Sequence, residues 1–254
     1  MAYNARMRSE RVRLFQTLPH ACGYYADRVS QHLVIDPAAP QLDKLYPQAL
    51  AHGFRRSGDH LYRPRCAGCH ACTPCRLPVE RFRPDRSQRR CMARNADLDV
   101  IETDADYSEE RHALYRRYLK ARHYGGGMDG EDAEDFLRFL IGPWGNTRFL
   151  ELRLHGKLLG VAATDVCPDS LSAVYTFFDP AQSSRGLGTF AILSQIEWAR
   201  RLAVPHLYLG YWIAGHPKMD YKRRFQPAEV LGENGWVPMV PCKGSRITAN
   251  LNSP

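Results

Sequence analysis

Four cysteines at a strict three-residue spacing, Cys66, Cys69, Cys72 and Cys75, stand inside the most arginine-dense stretch of the chain. Thiolates three apart can converge on one ion. Two such pairs supply the four sulfurs of a tetrahedral zinc site, and the first three share the spacing of a bacterial ferredoxin run. The same spacing leaves little backbone to wrap a metal, so reduced structural thiols are the alternative reading. Between Arg55 and Arg94 stand 11 Arg, no Lys and three acids, and the resulting +8 equals the formal net charge of all 254 residues. Arginine presents a planar fork of donors suited to phosphate and carboxylate, and an excess confined to one segment is the footprint of a polyanion binder. The competing reading is a solvated basic face paired with acids elsewhere. Arg86, Arg89, Arg90 and Arg94 are the candidate contacts to nucleic-acid phosphates.

At 44% hydrophobic and 24% charged residues, the chain has the composition of a soluble protein with a well-buried core, in one large domain or two small ones. No stretch approaches the about 18 consecutive apolar residues of a membrane span. The opening MAYNARMRSERVRLF lacks the apolar run of a secretory signal, so a cytoplasmic location without membrane attachment is expected. Eight cysteines in a chain of this length are not the framework of a small secreted domain, and clustered thiols in a reducing compartment point to metal or redox chemistry.

The elements that must position these residues change character along the chain. Pro19, Pro37, Pro40, Pro47, Pro64, Pro74, Pro78 and Pro84 punctuate the first hundred residues into short strands, turns and one helix around 42–52. From Ser108 the pattern is regular. SEERHALYRRYLKAR opens on an N-cap residue, places Leu114, Tyr115, Tyr118 and Leu119 on one helical face and stops at Gly125, Gly126 and Gly127. A second helix is expected over 131–140, then two strands joined at His155 and Gly156 and a third in LSAVYTFF. RGLGTFAILSQIEWARRLAV reads as a helix opened by a glycine turn, and HLYLGYW as one more strand.

This order is that of the GNAT acyltransferase core, in which a glycine turn at a helix start presents backbone N–H groups to a pyrophosphate. Gly186 and Gly188 fit that turn, while Ser183 stands where Arg or Gln is expected. The departure disfavours acetyl-CoA and suits another acyl donor; a tight strand-to-helix turn is the plain alternative. The expected fold class is α+β, with a GNAT-like acyltransferase domain over 104–254 behind an irregular cysteine- and arginine-rich module over 1–103.

Four separated motifs, GFRRSGDHLYRPRC, F-x-x-x-R-S-Q-R-R, VYTFFDP and YLGYWIAGHPKMDYKRRFQP, together resemble the arginyl/leucyl-tRNA-protein transferase family in its short bacterial branch. The similarity runs from about Leu18 to Glu229. It implies an enzyme that takes an aminoacyl group from tRNA and joins it to the α-amine of a protein beginning with Asp or Glu, marking that protein for degradation. Bacterial members of this size most resemble leucyltransferases using Leu-tRNA, and the eukaryotic relatives use arginine. Those relatives carry a second cysteine near the start where this chain has Tyr25, so any metal site is expected from the later run rather than from Cys22.

An aminoacyl ester is already activated and an α-amine has a pKa of about 8, so the reaction needs positioning, removal of one proton and oxyanion stabilisation. It needs no covalent nucleophile and no cofactor; zinc or an iron-sulfur cluster at the cysteine run is the one cofactor candidate. Asp179, in FFDP, and Asp165 are candidate general bases, with a turn role the alternative for an Asp before Pro. Arg55 and Arg56, after a turn glycine and by resemblance near Tyr24, suit a carboxylate clamp for the acidic substrate, and on one strand the two must face opposite ways. Tyr211, Trp212, Lys218, Met219, Tyr221 and Lys222 interleave aromatics with cations, the pattern that stacks a terminal adenine and holds the last phosphates. Tyr211 and Trp212 also suit a strand-end core. A CoA-dependent N-acetyltransferase and a non-catalytic RNA-binding module are the competing functions.

Overall fold

The computed structural model describes residues 12–122, 132–142 and 146–239. The proline-punctuated start forms β1 (Leu14–Gln16), a small hairpin of β2 (His20–Ala21) and β3 (Val29–Ser30), β4 (His32–Ile35), helix α1 (Leu42–Ala51), β5 (Arg55–Ser57) and β6 (His60–Pro64). An antiparallel sheet in the order β1-β4-β6-β5 results. Leu42, Tyr46, Ala49 and Leu50 recur at helical spacing, so α1 buries one face. That face meets Phe54 and Leu61, together with Cys167 and Tyr208 from the second half of the chain.

Next come β7 (Thr73–Pro78), α2 (Arg86–Arg94), β8 (Asp99–Asp104), α3 (Glu109–Arg122), α4 (Ala133–Leu140), β9 (Thr147–Leu154), β10 (Lys157–Cys167), β11 (Ser170–Phe178), α5 (Leu187–Arg201), β12 (His206–Trp212), β13 (Glu229–Gly232) and β14 (Gly235–Pro238). The strands make one sheet ordered β14-β13-β7-β12-β11-β10-β9-β8. Every pair is antiparallel except β11 with β12, whose connection is the helix α5, as a parallel crossover requires. The sheet is covered on both faces. Leu150, Leu152, Leu159 and Ala162 pack under α5, while Phe149, Leu158, Val161 and Ala163 pack with Leu114, Phe136 and Leu140 from α3 and α4. Double coverage explains why KLLGVAATDVC reads as an unbroken apolar run rather than an alternation.

The glycines expected to end α3, Gly125, Gly126 and Gly127, and the expected start of α4 at Glu131 lie outside the described residues. Strands from the expected N-terminal module over 1–103 also enter the large sheet. β7 is threaded between β13 and β12 and β8 forms the opposite edge, so the cysteine- and arginine-rich segment helps build the large sheet. One more feature positions the site. The parallel pairing of β11 and β12 covers only Ser170 to Ser172 against His206 to Tyr208, and beyond it the two strands part.

A cationic cleft as candidate active site

The gap between β11 and β12 is filled by a side chain from the other sheet. Arg55 Nη2 donates to the Ala173 carbonyl of β11 at 2.7 Å. Its Nη1 lies against Gly210 of β12, so close that a Cβ there would stand 2.4 Å from it. Gly210 adopts φ +84°, which favours glycine for a second reason. The Nη1 atom is buried and has no hydrogen-bond partner. A guanidinium kept in that state carries an undischarged desolvation penalty that an anionic ligand would relieve.

Arg55 stands at the floor of a cleft of about 2070 Å³ running between the two sheets. Arg28, Arg55, Arg56, Arg63, Arg65, Arg122, Lys218 and Lys222 line it, and Glu233 is the one acid among the described lining residues. On one flank Tyr118, Phe139, Tyr175 and Phe178 form an aromatic wall, with Tyr118 edge-on to Phe178 at 5.0 Å and Phe139 edge-on to Tyr175 at 5.1 Å. At the mouth stand Ser183, Gly186, Leu187, Gly188 and Thr189. Gly186 is left-handed at φ +68° and no side chain caps the start of α5, so its first N–H groups form a ready anion-binding end. The opposite rim joins the two halves of the chain. His216 Nε2 is 3.1 Å from the Tyr24 carbonyl oxygen, and its ring meets Tyr24 and Tyr25 edge-on. Burial pushes the Tyr24 hydroxyl well above the usual phenol range.

Lys222 sits on a 3-10 turn over Asp220–Arg224, is 4% exposed, and donates from Nζ to the Tyr211 carbonyl oxygen. Burial and then the Arg55 charge lower its pKa to about 7. Tyr211 is an anchor: its hydroxyl lies 3.0 Å from the Gly53 carbonyl oxygen and 3.1 Å from that of Tyr62, tying β12 to the first sheet.

Two family models match the chain: the arginine-tRNA-protein transferase N terminus over residues 20–90 and its C terminus over 110–232. The aspartate/glutamate leucyltransferase of Stenotrophomonas maltophilia strain K279a is 60% identical, over 90% of this chain and 94% of that protein. The chain belongs to the arginine-tRNA-protein transferase family. Further relatives in this transferase family are the aspartate/glutamate leucyltransferases of Xanthomonas campestris pv. campestris strain B100, 57% identical over 92% of this chain and 95% of that protein, and of Xylella fastidiosa strain 9a5c, 55% identical over 89% and 92%. Among solved structures, the C-terminal domain of a putative lysylphosphatidylglycerol synthetase from Agrobacterium fabrum overlays with a TM-score of 0.49 at 15% identity, covering 77% of this chain and 63% of that one.

Within this transferase fold the residues singled out in the sequence separate. Of the two arginines on β5, Arg55 enters the cleft, whereas Arg56 holds Asp165 through Nε at 2.8 Å and Nη2 at 2.9 Å. Asp165 is 0% exposed and also accepts from Tyr46 at 2.7 Å and Thr147 at 2.6 Å. Its lone pairs are occupied by a latch between the first sheet and β10, so it has no free face to act as a base, and Arg56 has none to clamp a substrate. Removing one member of such a buried pair costs about 3–5 kcal/mol. Asp179 caps the 3-10 turn over Pro180–Arg185, accepting from the Ala181 N–H at 3.0 Å, and does not line the cleft. It is a turn residue, as an Asp before Pro often is. Trp212 likewise turns away from the cleft: its Nε1 donates to Asp220 at 3.0 Å and its ring packs on the main core. Lys218, Met219 and Tyr221 line the cleft, with Tyr221 42% exposed.

The cysteine run does not act as one set. Cys75 is on β7 with its side chain in the main core, and burial pushes its thiol up to about 12. Cys72 lies just before that strand rather than on it. Cys22, Cys66, Cys69 and Cys72 line the cleft instead. Cys69 is held below the usual thiol range by the Ala71 backbone and by Arg28, whose Nη1 donates to Sγ at 3.4 Å. Among the described residues no group of three or more His, Cys, Asp or Glu side chains is placed to hold a metal ion. Cys66, Cys69, Cys72 and Cys75 are therefore not assembled as one ligand set, because Cys75 packs in the main core. Arg86, Arg89, Arg90 and Arg94 are exposed on α2, outside the cleft but beside its mouth, where Arg94 Nη1 donates to the Ser184 carbonyl and Asn95 Nδ2 to that of Arg185. Tyr118, Tyr175, Phe178 and His216 fall within the helical pattern or motifs of the sequence, but nothing in the sequence joined them to Arg122 and Phe139 as one site, because separate elements bring them together.

Proposed function

We propose that this chain transfers leucine from Leu-tRNA to the α-amine of proteins beginning with Asp or Glu, so marking them for degradation. The observation that carries the reading is the cleft floor: Arg55, with an unpartnered buried Nη1, in a cavity lined by eight basic side chains, of which Arg56 is already matched by Asp165, and by one acid among the described residues. A carboxylate side chain accepts both fork donors of an arginine, whereas Lys or Gly at the substrate N-terminus supplies no such partner. The names of the relatives, aspartate/glutamate leucyltransferase, support the same substrates. The donor end of tRNA suits the mouth, where the uncapped start of α5 and the exposed arginines of α2 offer phosphate contacts and Lys218, Met219 and Tyr221 offer stacking and charge. An arginyl donor would bring a further cation into a cleft already short of acids. The aromatic wall instead offers an apolar surface suited to a leucyl side chain. The element order, the helix α5 opened by a glycine turn and the parting of β11 from β12 support a GNAT-like catalytic half. No described helix is long and apolar enough to cross a membrane.

The test is a transfer assay read by mass, with purified protein, charged tRNA and peptides differing in their first residue. Leucine addition to Asp- and Glu-peptides from Leu-tRNA, with none to Lys- or Gly-peptides and none from Arg-tRNA, is expected. Equal transfer to a Lys-peptide would overturn the substrate reading, and preferential use of Arg-tRNA the donor reading.

A further inference from the structure

Two cations share the cleft floor. Arg55 Nη1 lies over Gly210 and Lys222 Nζ binds the carbonyl of Tyr211, so they address successive residues of β12. Neither has a carboxylate partner among the described residues. The groups that face Lys222 come from several elements: Arg55 from β5, the thiols of Cys75 on β7 and of Cys72 just before it, the Tyr211 carbonyl of β12, and the Tyr221 ring of its own turn at 5.7 Å. The thiols are pushed up to about 11 and about 12 by burial, so at neutral pH Arg55 is the one permanent charge in this set. Two buried positive charges that act on one another are unfavourable, and only one of the two groups can discharge. Arginine cannot discharge, whereas a buried lysine can give up its proton.

We propose that Lys222 is the group that accepts the proton of the incoming α-ammonium, and that the substrate's own Asp or Glu carboxylate, held by Arg55, is the counter-ion that makes this transfer favourable. The inference rests on the reading of Arg55 as the acceptor of the acidic residue and adds the step that follows. In the empty site Lys222, its pKa lowered to about 7, holds a substantial neutral fraction at neutral pH beside charged Arg55. The substrate brings one negative carboxylate and one α-ammonium. With the carboxylate in place, a proton moves from the α-ammonium to Lys222 Nζ, leaving a neutral amine and two cations that flank an anion. The amine lone pair forms the C–N bond at the aminoacyl carbonyl carbon, and the C–O bond to the ribose breaks. The second amine proton passes to the departing ribose oxygen, which leaves as an alcohol. Lys222 releases its proton to solvent as the product departs, so ester and ammonium become amide, alcohol and one free proton. The acidic residue thus acts on turnover as well as on binding.

The experiment compares wild type with Lys222→Arg, which keeps a cation and a donor but cannot accept a proton near neutral pH. Expected at about pH 7 is a loss in kcat of about 100-fold, in the range of general-base catalysis, with KM for an Asp-peptide changed less than about threefold. The deficit should narrow toward about pH 9, where the α-amine, of pKa about 8, is already free. A kcat and pH profile equal to wild type would overturn the proposal. Because the larger side chain could disturb packing, the wild-type protein is also titrated by NMR with 13Cε-labelled lysine, of which the chain has six. Lys222 should titrate near neutral pH and move upward when an Asp-peptide binds, but not with an Asn-peptide of the same sequence. Titration near the ordinary lysine range in the free protein would overturn it equally. If wild type adds no leucine to an Asp-peptide, the reading of the function has failed; if it does and Lys222→Arg matches it, only this inference has.

Discussion

Arg55 and Arg56 are adjacent, chemically identical and opposite in fate. β5 pairs with β6 through both, and the alternation of an extended strand turns one toward the latch with Asp165 and the other into the gap at Gly210. The latch arginine has its charge matched inside the protein, and the cleft arginine has not. Arg55→Lys retains the charge and removes the two-pronged geometry. Loss of one charge-assisted hydrogen bond is worth about 1.5–3 kcal/mol, so KM for an Asp-peptide should rise about 10- to 100-fold in steady-state transfer assays. Gly210→Ala should act in the same direction, because its methyl group would occupy the space of the guanidinium. Combining the two changes should then cost less than their sum.

Helix α2 presents its arginines to solvent while anchoring itself by other means. Asp85 accepts from the Gln88 N–H at 2.8 Å and Gln88 returns the bond to the Asp85 N–H at 2.8 Å, closing a capping box. Cys91 and Asn95 hold the inner face against the turn before α5. Arg89 also donates to the Pro84 carbonyl and Arg94 to that of Ser184, but each keeps further guanidinium donors at the exposed surface to meet phosphates. Replacing Arg86, Arg89 and Arg90 together by Ala should leave the melting temperature within a few degrees. The same change should reduce the salt slope of tRNA binding by up to about 2–3, at about 0.7–0.9 per phosphate contact. Affinity measured across a salt series decides this, and an unchanged slope would assign the helix another purpose.

Burying Lys222 beside Arg55 leaves a mark on the stability of the whole molecule. Its folded pKa of about 7 lies below the unfolded value of about 10.4, so between these limits the unfolded chain binds more protons and stability rises with pH. The thiols of Cys72 and Cys75 work the other way. Their folded values of about 11 and about 12 exceed the unfolded value of about 8.5, so above it the folded state binds more protons and stability falls as pH rises. The window free of those two thiols runs from about pH 7 to about pH 8.5, where the Lys222 contribution should gain on the order of 2 kcal/mol at 1.36 kcal/mol per unit, with the lowered Cys69 thiol acting in the same direction. Urea unfolding at the two ends of this window should show that gain in wild type. Lys222→Met should lack it, and a variant with the same gain would place the depressed charge elsewhere.

The linear order of residues settled the family, the reaction class and much of the element order. Four motifs spread over most of the chain identify the former, and hydrophobic periodicity marked α3, β9 to β11, α5 and β12 because those elements bury faces whose spacing is local. Charge counting likewise located the arginine segment, since net charge does not depend on folding. Folding alone determined which polar groups are matched. Asp165 reads as a candidate base until Arg56, Tyr46 and Thr147, 109, 119 and 18 residues away, are seen to occupy it. The cysteine spacing reads as one site until the extended backbone of β7 sends Cys75 into the core and leaves its neighbours in the cleft. Lys222 reads as one basic residue among many until its burial beside Arg55 shows a lysine poised to give up its proton. Such assignments depend on contacts between distant segments and on the low dielectric they create, and neither is written in local spacing.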